Sequence, residues 1–259
     1  MKKIQSAERV SGSDMSDNFV YQRSLLAYRR AAEIVSGDVL EIGTGTGYGV
    51  SVLSPVASSL VTVDKAEPPS GLTVRYGNVE FVSMKVPPLE NLSSNSYDYV
   101  VCLQVIEHVK RDLALLAEIH RVLRPGGALL LSTPNRPMSL TRNPWHVREY
   151  TADELNNMLG AFFDSAEIFG VFGSEKVLEY YRKNREAVER LARYDILDLQ
   201  HNLPRWCLRM PYDLLNRLNR RRLLERNREL TESINAEDYY LAPADEKCFD
   251  LFCVARKQL

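Results

Sequence analysis

Four glycines stand on alternate residues directly after an apolar run, at Gly43, Gly45, Gly47 and Gly49 in VLEIGTGTGYGV. Glycine tolerates positive φ angles, so a strand can turn sharply at such positions. Without side chains, the backbone N–H groups of the turn are open to a ligand. Open amides at the end of a strand bind small polar groups. The spacing therefore predicts a ligand-binding turn after the first strand.

The spacing of these glycines distinguishes two kinds of nucleotide-binding turn. The dinucleotide pattern G-x-G-x-x-G requires a sixth-position glycine. Tyr48 holds that position when counting starts at Gly43, and Val50 holds it when counting starts at Gly45. An acidic residue followed by alternating glycines fits instead, because Glu41 stands two residues before Gly43. The pattern therefore disfavours a nicotinamide dehydrogenase.

Further polar candidates follow the second, fourth and fifth predicted strands. Asp64 ends the second strand, which puts an ionised hydrogen-bond acceptor at the carboxyl end of that strand. Glu107 and His108 follow the fourth strand, and His146 lies in a polar loop after the fifth. Because carboxyl ends of parallel strands meet at one edge, these side chains are expected near a bound substrate. We predict His146, His108 and Glu107 as catalytic, with histidine accepting the proton; a turn-capping role is the alternative for His108.

The elements that must position these residues alternate between apolar runs and helical periods over residues 38–173. Near-continuous hydrophobicity suits a parallel sheet covered on both faces, and this predicts a doubly wound α/β domain. The predicted strands are DVLEIG (38–43), LVTVD (60–64), VEFVS (79–83), YDYVVCLQV (97–105), ALLLSTP (128–134), AEIFGVFG (166–173) and CFDLFCVARK (248–257). A helix is predicted over 111–123, with Leu113, Leu116 and Ile119 on its apolar side.

The alternation lapses between residues 174 and 245, which are rich in Arg, Leu, Tyr and Asn at helical spacing. An insertion after the sixth strand begins beside the ligand edge and can fold over it. We therefore predict an inserted helical cap at 174–246 that selects the substrate, beside a core at 37–173 and 247–259. A helical lid is predicted at residues 1–36, because residues 18–35 have the pattern of an amphipathic helix.

Several segments in this order resemble the class I S-adenosylmethionine-dependent methyltransferases. The pattern around Glu41 is similar to their first motif, and Asp64 stands where they place an acid that binds both ribose hydroxyls. YDYVVCLQVIEHV and RVLRPGGALLLSTPN are similar to the fourth strand with its turn and to the fifth-strand signature. NPWHVREYTADEL resembles an H-x-R-E-Y segment of bacterial small-molecule members, a group similar to the ubiquinone-pathway methyltransferases. The matches cover about residues 38–173 and the last strand.

The resemblance implies a Rossmann-like, doubly wound, mostly parallel seven-stranded sheet with an antiparallel last strand, and S-adenosylmethionine as cofactor. The implied cofactor-binding residues are Glu41, Gly43, Thr44, Gly45, Gly47, Asp64, Lys65 and Gln104. SMKVPP (83–88) lacks the acid that the family often uses for adenine, so backbone amides and apolar contacts are expected there. The implied reaction is methyl transfer to an oxygen, in preference to a nitrogen, of a small or lipid- or nucleotide-linked metabolite.

QVIEH (104–108) is similar to an E-x-x-E-H segment that binds a divalent metal in some ubiquinone-pathway and small-RNA methyltransferases. Gln104 replaces its first acid, and an amide binds a hard cation more weakly than a carboxylate does. We therefore predict no metal, and a cation on Glu107, His108 and His146 is the alternative.

Composition limits the class of partner and the compartment. Lys and Arg number 33 against 34 Asp and Glu, so the overall charge argues against a nucleic-acid partner. No signal-peptide apolar region or membrane-length apolar run occurs, and the four cysteines form no C-x-x-C pair. The sequence predicts a cytoplasmic protein with reduced thiols.

The predicted cap contains a basic and apolar segment. Residues 203–230 hold eight arginines, with Trp206, Met210 and several leucines between them. This composition suits a lipid-linked or nucleotide-linked substrate, or peripheral contact with an anionic membrane; a solvated helix is the alternative. An RNA methyltransferase and a non-catalytic binding protein of the same fold are the alternative functions. No feature of the sequence indicates an oligomeric state.

Overall fold

The computed structural model describes residues 10–67, 70–193 and 199–259. Within these residues, eight strands form one mixed sheet in the order β3-β2-β1-β4-β5-β8-β6-β7. The strands are β1 (Asp38–Ile42), β2 (Ser59–Asp64), β3 (Val79–Ser83), β4 (Tyr97–Leu103), β5 (Leu123–Pro134), β6 (Ser165–Gly173), β7 (Tyr239–Pro243) and β8 (Asp250–Arg256). The helices are α1 (Asn18–Ala32), α2 (Tyr48–Leu53), α3 (Leu72–Arg75), α4 (Asp112–Val122), α5 (Ala152–Leu159), α6 (Glu175–Ala192), α7 (Leu199–Asn202), α8 (Arg205–Arg226) and α9 (Arg228–Ser233).

The first five strands are parallel, which confirms the predicted α/β class. β8 lies antiparallel between β5 and β6, as expected for the last strand. β1, β4 and β5 are buried along most of their length, and this explains their continuously apolar sequences. The parallel direction brings the carboxyl ends of β1, β2, β4 and β5 to one edge of the sheet.

The sheet in the described residues has one strand more than the seven predicted. β7 pairs antiparallel with β6 and forms the outer edge. It lies within residues 174–246, which were predicted as a helical cap. Its five residues include a proline and alternate poorly between buried and exposed positions. Pairing with the edge of β6, rather than local propensity, determines their conformation.

Two local expectations also differ from the structure. The fourth strand was predicted to reach Val105, but β4 ends at Leu103 because Gln104 adopts a left-handed φ of 56°. In α4, Leu113 is 52% exposed instead of buried. The buried side of the first turn of α4 is taken by Asp112, which accepts a hydrogen bond from the Tyr150 hydroxyl at 2.9 Å.

Helix α1 lies between the sheet and the helices that follow β6. The Asn18 side-chain amide donates to the carbonyls of Thr231 and Ile234 at 2.7 and 2.8 Å. The ring of Phe19 stacks on Tyr180, with 4.6 Å between centroids. Because these contacts join α1 to α6 and α9, the N-terminal helix and the helical segment form one wall above the ligand edge.

The chain has four cysteines. All four are free thiols, and Cys102, Cys248 and Cys253 are buried, while Cys207 is partly exposed. Across the described ranges, we find no helix with the length and apolar character that crossing a bilayer demands.

Candidate active site

The glycine-rich segment forms the turn between β1 and α2. Gly43, Gly45 and Gly47 have φ angles of 96°, 55° and 83°, conformations that residues with side chains rarely adopt. A Cβ atom on Gly43 would lie 2.5 Å from Cγ2 of Val105. The Gly43 N–H donates to the Val63 carbonyl at 2.8 Å, which fixes the turn on β2. The sharp turn predicted from the spacing is therefore present.

A first cavity, of about 640 Å³, opens at this turn. Its volume suits a cofactor or another small ligand. Six of the eight predicted cofactor-binding residues line it: Gly43, Thr44, Gly45, Asp64, Lys65 and Gln104. The loop after β3 lines another part of the wall with Met84, Lys85, Val86 and Pro87. Helix α1 contributes Val20, Arg23, Ser24 and Tyr28.

Glu41 lies outside the wall that the described residues form around the first cavity, in contrast to the expected contact. It is 0% exposed, and its two carboxylate oxygens accept hydrogen bonds from Tyr28 at 2.8 Å and Thr62 at 2.5 Å. Burial raises the pKa of Glu41 to about 7, and these hydrogen bonds offset the effect in part. Glu41 therefore connects α1 to β1 behind the turn. Gly47 also lies outside this wall, where its left-handed φ begins α2.

Asp64 presents its carboxylate at the end of β2. Oδ2 accepts a hydrogen bond from the Gly45 N–H at 2.9 Å, and Oδ1 accepts one from the Ala66 N–H at 3.0 Å. These bonds hold the carboxylate against the glycine turn, in the wall of the first cavity. A carboxylate oxygen can accept more than one hydrogen bond, so this orientation suits a vicinal diol. Opposite, the Gln104 side chain donates to Oγ of Ser132 at 3.2 Å.

A second cavity, of about 620 Å³, lies between the helical segment and the sheet. Aromatic and aliphatic side chains from α1, α6, α8 and the chain before β8 line it, including Phe19, Tyr180, Tyr181, Leu208, Tyr212 and Phe249. It shares wall residues with the first cavity: Val20, Arg23, Pro134, Asn143, His146 and Arg220. A largely apolar chamber therefore adjoins the glycine-turn cavity.

His146 lines both cavities and is paired with a carboxylate. Its Nδ1 lies 2.6 Å from Oε1 of Glu149, and Oε2 of Glu149 accepts a hydrogen bond from the Ser139 hydroxyl at 2.5 Å. The Asn143 side-chain amide donates to Nε2 of His146 at 2.8 Å, which assigns the ring proton to Nδ1. Burial opposes ionisation of Glu149, but the bonds from His146 and Ser139 outweigh it and lower the pKa of Glu149.

The other two predicted catalytic residues lie beside His146 and line the first cavity. Glu107, His108 and His146 each place one donor atom within 4.8 Å of the others. Glu107 is 1% exposed, and its Oε2 accepts a hydrogen bond from Thr133 at 3.1 Å. Nδ1 of His108 lies 3.1 Å from the Trp145 carbonyl oxygen. The fold thus assembles all three residues at the first cavity, and His146 also lines the second.

An ion pair that no spacing pattern marks joins α1 to β8. Nε of Arg23 lies 2.8 Å from Oδ2 of Asp250, and the guanidinium carbon lies 5.8 and 5.7 Å from the ring centroids of Phe19 and Phe249. Burial raises the pKa of Asp250 to about 6, although Arg23 acts in the opposite direction. Arg23 lines both cavities, so Asp250 fixes the positively charged guanidinium of Arg23 at the junction of the two cavities.

Comparison with known proteins identifies relatives of this arrangement. A family model described as a methyltransferase domain matches residues 17–169. A probable S-adenosylmethionine-dependent methyltransferase of Mycolicibacterium smegmatis is 36% identical over 175 residues, which cover 64% of this chain and 68% of that protein. One of Mycobacterium tuberculosis is 38% identical over 164 residues, 60% of each chain. A ubiquinone biosynthesis O-methyltransferase of Pseudomonas aeruginosa is 28% identical over 131 residues, 46% of this chain and 50% of that one. The chain therefore spans between half and about two thirds of the length of these relatives.

Solved structures share the fold at low sequence identity. The [4+2]-cyclase SpnF superposes with a TM-score of 0.56 at 18% identity, covering 94% of this chain and 82% of the cyclase. A methyltransferase dependent on S-adenosylmethionine from Archaeoglobus fulgidus gives a TM-score of 0.52 at 14% identity, covering 93% of this chain and 94% of that one. These likenesses concern the fold alone, and one fold can serve more than one reaction.

Proposed function

The chain belongs to the methyltransferase domain family, as an enzyme dependent on S-adenosylmethionine, and we propose that it methylates a hydroxyl oxygen of a small metabolite with a large apolar portion. One observation carries the proposal. His146, paired with Glu149, lines both the glycine-turn cavity and the apolar cavity. This position supports His146 as the proton acceptor between a ligand of one cavity and a ligand of the other.

We assign the first cavity to the cofactor, whose sulfonium supplies an activated methyl group without a covalent enzyme nucleophile. The backbone of Gly43, Thr44 and Gly45 lines the cavity closely and suits its polar methionine end, and Asp64 suits the ribose hydroxyls. Met84, Val86 and Pro87 would provide apolar contact for the adenine. Glu41 takes no direct part, because its carboxylate is buried against Tyr28 and Thr62.

The hydrogen bonds of His146 support an oxygen acceptor. A hydroxyl must lose its proton when the oxygen is methylated, whereas a neutral amine can attack first and lose a proton later. Nε2 of His146 carries the ring lone pair, which the Asn143 amide occupies in this structure. An acceptor hydroxyl that replaces this amide donates its proton to Nε2, and Glu149 stabilises the imidazolium that forms.

Glu107 and His108 hold in place the loop that carries His146, and they do not accept the proton themselves. The Glu107 carbonyl accepts hydrogen bonds from the Val147 and Arg148 N–H groups at 2.6 and 3.3 Å. The ring of His108 lies edge to face against His146, with 4.8 Å between centroids. These contacts fix the position of the imidazole relative to both cavities, and we therefore treat Glu107 and His108 as positioning residues.

The second cavity is the proposed site of the acceptor. Its aromatic and aliphatic walls suit a ring system or an alkyl chain. Residues 1–36 and 174–246 are the proposed lid and cap, since α1, α6 and α8 cover the ligand edge and exclude water. Aligning two reactants in this way can lower a barrier by about 7 kcal/mol or more. Of the described residues that precede α1, Val10 lines the first cavity and Ser16 lines the second.

A divalent cation on Glu107, His108 and His146 is the second candidate arrangement, favoured by the spacing of their donor atoms. Both ring nitrogens of His146 already have partners, Glu149 at Nδ1 and Asn143 at Nε2. A metal on Nε2 would have to displace the Asn143 amide. Two histidines and one carboxylate would suit a transition metal better than magnesium.

The function is tested by incubating the protein with methyl-labelled S-adenosylmethionine and fractionated cell extract, followed by mass spectrometry. The expected product is an apolar small molecule that carries the labelled methyl group on oxygen. Label on RNA would support an RNA methyltransferase instead. Binding of the cofactor without any labelled product, in every fraction, would support a non-catalytic binding protein.

A further inference from the structure

Helix α8 carries an apolar stripe on its exposed side. The stripe consists of Trp206, Met210, Leu214 and Leu218, whose exposed fractions are 73%, 74%, 61% and 40%. Residues four apart lie close to one line along a helix, so these side chains form a continuous surface. Isolated exposed apolar residues are common, but a contiguous row is typical of a binding surface.

Arginines accompany the stripe. Four arginines of α8 are also exposed, namely Arg209, Arg221, Arg222 and Arg226. Of the two acidic residues in this helix, Asp213 is buried and accepts a hydrogen bond from Nε1 of Trp145 at 3.0 Å, which leaves Glu225 on the exposed side. The exposed side of α8 is therefore both apolar and positively charged, a combination typical of helices that lie in a membrane interface.

The stripe is continuous with the second cavity. Leu203, Pro211 and Leu215 line that cavity and are also exposed. Pro211 and Leu215 lie on α8 and Leu203 lies just before it, so the three residues form a rim between the cavity and the stripe. An apolar molecule dissolved in an apolar layer that touches the stripe could therefore pass over the rim into the cavity without entering water.

We propose that the exposed side of α8 binds the surface of an anionic lipid membrane, with the stripe among the acyl chains and the arginines on lipid phosphates. Charge complementarity selects this occupant, because Lys and Arg near an anionic leaflet are attracted to it. A second copy of the chain packed through the same face would bring two sets of arginines together. On the basis of the function proposed above, the surface gives membrane-borne acceptors access to the second cavity; membrane binding itself does not depend on that function.

The test is co-sedimentation of the full chain with vesicles of phosphatidylcholine alone or mixed with phosphatidylglycerol. A first variant combines Trp206→Gln, Met210→Gln and Leu214→Gln, and its control combines Val74→Gln and Leu113→Gln, which change apolar residues exposed elsewhere. A second variant combines Arg221→Gln and Arg222→Gln, and its control combines Arg75→Gln and Lys247→Gln at other exposed positions. Circular dichroism and cofactor binding check that each variant is folded.

The expected result is binding to the mixed vesicles and little binding to phosphatidylcholine alone. The arginine variant should bind about 30-fold more weakly, since each arginine at an anionic surface contributes a factor of about five. The apolar variant should bind the mixed vesicles at least about tenfold more weakly, because burying one such side chain contributes that much to the affinity. The controls should bind like the wild type.

Three results would overturn the proposal. One is equal binding to vesicles with and without phosphatidylglycerol, or binding to neither. Another is wild-type binding in both α8 variants. The third is a dimer in analytical ultracentrifugation that the apolar variant abolishes, which would identify a second copy as the occupant. In a separate readout, brominated lipid should quench the fluorescence of Trp206 more than that of Trp145, which packs against Arg209 and Asp213.

Discussion

Nδ1 of His146 lies 2.6 Å from Oε1 of Glu149, and the imidazole that this bond orients lines two adjoining cavities. A carboxylate behind a neutral imidazole fixes its tautomer and stabilises the protonated form. In the proposed function, a hydroxyl at the junction of the cavities loses its proton to this pair.

The first prediction concerns the cofactor cavity. Asp64→Ala should weaken binding of S-adenosylmethionine by about 30-fold or more, because charge-assisted hydrogen bonds to the ribose contribute roughly 1.5 to 3 kcal/mol each. Isothermal titration calorimetry measures the change directly. Glu80→Ala, which removes an exposed carboxylate on the neighbouring strand β3, should bind the cofactor like the wild type. Equal affinity in the Asp64 variant would place the ribose elsewhere.

The second prediction follows from the buried carboxyl of Glu41. Its pKa is about 7 in the folded protein against an ordinary value of 4.5, so between these values the folded state keeps a proton that the unfolded state has lost. The associated stabilisation is complete below pH 4.5 and is lost as pH rises through about 7. Over that window the loss from this group is about 2 to 3 kcal/mol.

Glu41→Gln isolates this effect, because glutamine keeps the shape and does not titrate. Between about pH 5 and about pH 8, the wild type should lose about 2 to 3 kcal/mol of unfolding free energy relative to the variant. Urea unfolding of both proteins at the two pH values measures the difference. A difference that does not change with pH would mean that Glu41 is ionised in the folded protein throughout.

The third prediction separates the two cavities. Leu208 lines the second cavity and not the described wall of the first, so Leu208→Trp should fill acceptor space and leave cofactor affinity unchanged. Turnover of the acceptor should fall through a raised KM. Val74→Trp is the control, since it adds the same side chain at a position that is 89% exposed. If Leu208→Trp weakens the cofactor and spares the acceptor, the two assignments are reversed.

The fourth prediction concerns metal. With His146 acting as a base, exhaustive chelation should leave turnover unchanged, and added divalent cations should not raise it. Activity assays before and after treatment with EDTA, with metal content measured in parallel, decide the point. Activity lost on chelation and restored by one cation would favour a metal on Glu107, His108 and His146, whose donor atoms lie within 4.8 Å of one another.

Sequence reasoning succeeded where chemistry depends on residues close together in the chain. The glycine turn, Asp64 and the strand ends follow from spacing and from the rule that parallel strands share one carboxyl edge. The structure accordingly assembles Glu107, His108 and His146 at one place. The pairing of His146 with Glu149, three residues later in the same loop, was open to the same reasoning and was missed.

Features that depend on distant residues could not be predicted in this way. Glu41 was expected at the cofactor, but Tyr28 and Thr62 bury its carboxylate, and both contacts arise from packing between elements. The ion pair of Arg23 with Asp250 joins the first helix to the last strand, and no spacing pattern marks it. β7 likewise forms because β6 offers an edge for pairing.

The most direct test of the proposed chemistry is the single-turnover rate of methyl transfer to the acceptor that the extract experiment identifies, in the wild type and in His146→Gln. The substitution should slow the transfer by about 10² to 10⁴-fold, the usual contribution of a general base, while cofactor affinity stays the same. Glu149→Gln should slow it less, since the imidazole is retained. A His146→Gln enzyme that transfers the methyl group at the wild-type rate would contradict the role of this residue, and with it the assignment of an oxygen acceptor at the junction of the cavities.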